Sequence, residues 1–96
     1  MVAALFDTNI LVDFLNGVAE AKTEVERYET RAISMVTWME VMAGAQPEVE
    51  AATRDFLLGF EQIPIDQAIA EQVVGIRRQA RIKLPDAIIW ASARSR

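Results

Sequence analysis

Val2-Ala3-Ala4-Leu5-Phe6-Asp7 opens the chain with five apolar residues in a row and closes that run with an acid. So short an uninterrupted apolar run fits a strand buried on both faces, as in a parallel sheet, better than a half-exposed strand of alternating polarity. It places Asp7 at the carboxyl end of the strand, where open α/β sheets bind their ligands.

Helical signals follow. Ile10, Leu11 and Phe14 lead to a break at Asn16-Gly17, where glycine suits a left-handed cap, and Val18, Ala21, Val25 and Tyr28 then recur at helical spacing. The pattern predicts a helical hairpin over residues 8–29. Ala32 to Val36 reads as a second strand, after which Trp38, Val41, Met42 and Ala45 switch to helical spacing and end near Gly44 and Pro47. A further helix is expected with Val49, Ala52, Phe56 and Phe60 inward, then a third strand over Gln62 to Ile65. Asp66 is a good N-cap for a helix carrying Ile69, Val73, Ile76 and Ala80. Leu84-Pro85-Asp86 starts the last helix, with proline suited to a first turn. Strands alternating with helices imply an α/β three-layer fold with a short parallel sheet, and the 96 residues allow one domain, 1–96.

Composition narrows the chemistry. With 52% apolar and 25% charged residues, and no apolar run near the ~18 residues of a membrane span, the chain reads as a soluble globular protein without membrane contact. The first apolar run has no basic flank, so a secretory signal is not expected and the cytoplasm is. There is no histidine and no cysteine, which removes Ser-His and Cys-His nucleophile systems and the usual zinc sites. Oxygen donors remain, and these suit magnesium (Mg2+) or manganese (Mn2+). The net charge of -4 hides an asymmetry: residues 1–71 carry 4 basic and 13 acidic side chains, residues 72–96 carry 6 basic and 1 acidic.

Three acids stand at predicted helix starts: Asp7, Glu40 and Asp86. Each has a structural explanation of its own. Asp7 can cap a helix, Thr37-Trp38-Met39-Glu40 matches a capping box, and Asp86 in a first turn opposes the helix dipole. Taken jointly they can converge on one crevice, where a divalent cation offsets their mutual repulsion. Arg77, Arg78, Arg81 and Lys83 precede Asp86, with Arg94 and Arg96 beyond it. That strip can position phosphates or can be a solvated face paired to the acidic body. Trp38 and Trp90 fall on apolar helix faces and are expected in the core.

The same residues carry a family resemblance. Leu5-Phe6-Asp7-Thr8-Asn9-Ile10-Leu11-Val12-Asp13 resembles the opening motif of PIN-domain nucleases, particularly VapC-type toxins of bacterial toxin–antitoxin pairs. Ile33 to Val41 with Gly44 resembles the second acidic motif, and Arg81 to Ile89 the third, in the family's order and across the entire chain. The resemblance implies metal-dependent cleavage of RNA with Asp7, Glu40 and Asp86 as catalytic and metal-binding acids, a cognate antitoxin as partner and a homodimer. Thr8, Asn9 and Thr37 match polar positions near that centre, and a role as caps or turn formers is open to them too. Asp13 also matches, with a supporting role favoured.

The match is not complete. Family members normally continue for roughly another thirty residues, about one strand-helix-strand unit, whereas this sequence stops at Arg96. A three-strand sheet without that unit is expected to leave one edge of its first strand open. A catalytically impaired PIN remnant that binds an antitoxin or dimerises is therefore an alternative to a nuclease. Phe6 to Asp13 is also similar to the first motif of haloacid-dehalogenase-like phosphatases, but Asn9 stands where a second Asp is expected and Ile10 where a Gly is.

Overall fold

Three short strands, all parallel, form the sheet in a computed structural model that describes residues 3–95, with side chains from residue 4 onward. Strand β1 (Ala3–Phe6) leads into helices α1 (Thr8–Leu15) and α2 (Ala19–Glu26), and β2 (Thr30–Ser34) into α3 (Met35–Gly44). A 3-10 turn at Pro47–Val49 precedes α4 (Glu50–Leu57); β3 (Glu61–Ile63), α5 (Gln67–Gln79) and α6 (Leu84–Arg94) complete the order. The strands lie in the order β1-β2-β3, with Phe6 opposite Ile33 and Ser34 opposite Ile63. Val2 and Arg96, expected in the first strand and the basic strip, lie outside the described residues.

Helices cover the sheet with two separate cores, the three-layer PIN-like arrangement that the alternation of strands and helices predicts. One core gathers Phe6, Leu11, Val25, Ile33, Val41, Leu57 and Phe60 beneath α1 to α4. The other gathers Val36, Ile69, Val73, Ile76, Ala87, Ile88 and Ala91 around α5 and α6. Parallel strands buried on both faces need apolar residues in succession, and Ala32, Ile33 and Ser34 are all buried. Among the described residues no helix is long and apolar enough to cross a membrane.

Local chemistry explains the helix boundaries. Asp66 Oδ1 accepts the Ile69 N–H at 2.9 Å, the expected cap of α5. Gly17, at φ +82°, turns the chain after Asn16 closes α1, a conformation that costs glycine nothing. Four expectations are corrected. The second strand ends at Ser34, because the Ser34 hydroxyl accepts the Val36 N–H at 3.2 Å and starts α3 at Met35. Thr37 thus lies inside the first turn of α3, and Thr37 to Glu40 is no capping box. Phe56 and Phe60 face the first core as expected, but Thr53 and Leu57 take the other inward places while Val49 and Ala52 are exposed. The third strand stops at Ile63 because Pro64 has no N–H for the ladder.

The tryptophans separate as well. Trp38 packs against the first core, with the Arg54 guanidinium 5.4 Å from its ring centroid. Trp90, expected in the core, is 50% exposed. The α6 face turned to the core is Ala87, Ile88, Ala91 and Ser92, and Trp90 falls off that stripe.

Candidate functional site

Asp7 occupies the step from β1 into α1. Its backbone is extended, and its Oδ1 accepts the Ile10 N–H at 3.1 Å, so one oxygen serves as the N-cap of α1. The exposed carboxylate keeps its other oxygen for solvent or a ligand. Thr8, the first residue of α1, donates its hydroxyl to Glu40 Oε1 at 2.5 Å. A second hydroxyl, that of buried Thr37, lies 3.4 Å from the same Thr8 oxygen. Four residues from the carboxyl ends of β1 and β2 are therefore joined: Asp7 through the backbone to Thr8, and Thr8 through side chains to Glu40 and Thr37. This follows from the fold, because the strands run parallel and adjacent and each delivers a helix at the same end of the sheet.

Asp86 is carried by a separate element. It lies exposed in the first turn of α6, where Pro85 takes an early helical position and Lys83 is the N-cap without a side-chain hydrogen bond. A carboxylate there opposes the positive end of the helix dipole. Among the described residues no three acids come close enough together to hold a metal ion, so Asp7, Glu40 and Asp86 are not gathered into a closed carboxylate cage. Asn9 and Asp13 are exposed on α1 and take no part in the Thr8 network. Arg77 and Arg78 form the basic last turn of α5, and with Arg81 and Lys83 they are exposed. The two ion pairs among the described residues, Arg27 with Glu24 and Arg54 with Glu50, leave these four cations out.

The donor chemistry fits a hard divalent cation in part. Asp7 and Glu40 offer oxygen ligands, and magnesium, which takes about six oxygens, keeps several waters and is commonly held by one or two carboxylates. Sequence reasoning grouped the acids but missed two features beside them. One is the direct hydrogen bond from Thr8 to Glu40. The other is a groove of about 470 Å³ that starts at Glu40 and runs past Val12, Leu15, Val41 and Val49. A signal for the groove was present, since Val12 and Leu15 lie three apart on α1 and are each about 40% exposed. A second groove, of about 500 Å³, lies along the edge of β1 that β2 does not cover, between Leu5, Asp7, Ile89 and Trp90. That open edge agrees with the expectation for a three-strand sheet.

Comparisons with known proteins agree with this fold. A chain of a toxin–antitoxin complex from Klebsiella pneumoniae is 50% identical, with a TM-score of 0.90 over 96% of this chain and 78% of that one. The structure of VapBC2 from Rickettsia felis bound to a DNA fragment from their promoter contains a chain of the same fold, 22% identical, with a TM-score of 0.79 over 96% of this chain and 80% of that one. No curated protein matches the sequence. A family model for the PIN domain, a family whose members are in general nucleases that use divalent metal ions, matches residues 4–96. The chain belongs to the PIN domain family.

Proposed function

We propose that the protein is a VapC-like endoribonuclease, the toxin of a toxin–antitoxin pair, and that it hydrolyses RNA phosphodiester bonds with magnesium or manganese. The observation that carries this reading is the joined group at the carboxyl ends of β1 and β2, where Asp7 and the Thr8-anchored Glu40 present oxygen donors on an exposed surface. Membership of the PIN family and the likeness to a toxin–antitoxin chain support it. A divalent cation, when bound, supplies an activated water and neutralises charge on the phosphate, in a protein without a histidine base. Asp7 and Glu40 would hold it, and Asp86 would complete the acidic set from α6. The exposed Arg77, Arg78, Arg81 and Lys83 would bind RNA phosphates through charge and so fix the strand's register without reading its sequence. The apolar groove that begins at Glu40 suits the cognate antitoxin, whose helix or strand would cover Val12 and Leu15. A cytoplasmic homodimer completes the reading.

RNA cleavage that needs manganese or magnesium, stops in excess chelator and is lost in Asp7→Asn with folding retained is the expected result. Equal cleavage in chelator would sink the mechanism. A second reading, an antitoxin-binding module with impaired catalysis, is favoured by the lack, among the described residues, of three acids close enough together to hold a metal ion. Capture of an antitoxin-like peptide without turnover at high manganese would select it.

A further inference from the structure

We propose that Thr8 is a positioning residue for Glu40, backed by Thr37, and that the pair commits one oxygen of the Glu40 carboxylate so that only the other faces a divalent cation. The inference rests on the metal-dependent reading above. A threonine hydroxyl has a single proton and accepts through its lone pairs. The contact of Thr8 with Glu40 Oε1 is the shorter, at 2.5 Å against 3.4 Å to Thr37, and it is assisted by the carboxylate's charge. The Thr8 proton therefore goes to Glu40, and the Thr37 hydroxyl lies behind the Thr8 oxygen.

The direction follows from burial too. Thr37 is fully buried, and its hydroxyl needs a partner within the protein, whereas Glu40 is exposed and could otherwise sample many rotamers. Thr8 lies between them and transfers the rigidity of the α3 interior to an exposed acid. Its place on α1 serves no cap, since Asp7 already fills that role. Hydrogen bonds from outside the ligand set are known to orient metal-binding side chains and to govern affinity.

The test uses the full chain and manganese alone, measured by the loss of the free-ion paramagnetic signal on titration. Thr8→Val keeps the shape and removes the hydroxyl; it is expected to weaken manganese binding by about tenfold, with Thr8→Ser restoring the parent affinity. In the metal-free chain the side-chain carboxylate NMR resonance of Glu40 is expected to move in Thr8→Val and Thr37→Val and to stay in place in Thr8→Ser. A folded Thr8→Val that binds manganese as tightly as the parent, or a Glu40 resonance indifferent to all three changes, would overturn the proposal. Should the parent bind no manganese while the Glu40 resonance still follows Thr8, the metal reading falls and the positioning of Glu40 stands.

Discussion

The two cores solve the same problem with different materials. Beneath α1 to α4 the core is aromatic: Phe6 meets Tyr28 and Phe60 edge-on at centroid distances of 5.9 and 6.0 Å, and Phe14 stacks on Phe56 at 4.8 Å. Around α5 and α6 the buried residues are Val, Ile and Ala. The difference extends to the acids. Asp7 accepts the Ile10 N–H and Glu40 the Thr8 hydroxyl, while Asp86 sits in the first turn of α6, where the helix dipole favours its charge. Large rings with directional contacts give a core that holds its neighbours in one arrangement.

The largest expected effect tests the packing itself. Phe6→Ala should cost about 3–5 kcal/mol in urea denaturation and more than Ile76→Ala in the other core, a change in the class that costs about 2–5 kcal/mol. Equal losses would remove the contrast between the cores. Next come the acids. Asp7→Asn keeps an oxygen to cap α1, so its folding should be spared while RNA cleavage falls by about a hundredfold; Asp86→Asn should lower it by only about tenfold. A matching loss in both variants, measured as kcat/KM, would mean that Asp86 acts as closely as Asp7 does.

Charge and capping give smaller effects. Replacing Arg77 and Arg78 with Gln should weaken binding of single-stranded RNA and reduce the slope of log affinity against log salt by about 0.7 for each phosphate that is no longer neutralised. An unchanged slope would make those arginines a solvated face. Asp66→Ala should cost about 1 kcal/mol by removing the cap of α5, read as a drop in the thermal midpoint. If that loss equals the one from Phe6→Ala, the aliphatic side depends on its caps far more than its packing suggests.

Much of this was legible in the residues because the signals are local. The apolar run ending at Phe6 announced a strand, Asn16-Gly17 a helix end and Asp66 a cap, each decided by neighbours within a few positions. The errors arose where two local signals competed. Val36 is β-branched and suits a strand, yet the Ser34 hydroxyl had already started a helix. Trp90 reads as a core residue by type, and its exposure depends on which stripe of α6 meets α5.

By itself, then, the sequence determined the alternation of strands and helices, the order of the acidic motifs and the lack of any histidine or thiol chemistry. These are matters of residue type and short-range spacing. It took the packing to show that Thr8 reaches Glu40 across 32 positions and that Thr37 is sealed behind it. The reason is physical: spacing along a chain governs what a helix or strand can bury, but which oxygens meet is settled by how parallel strands and their helices pack side by side.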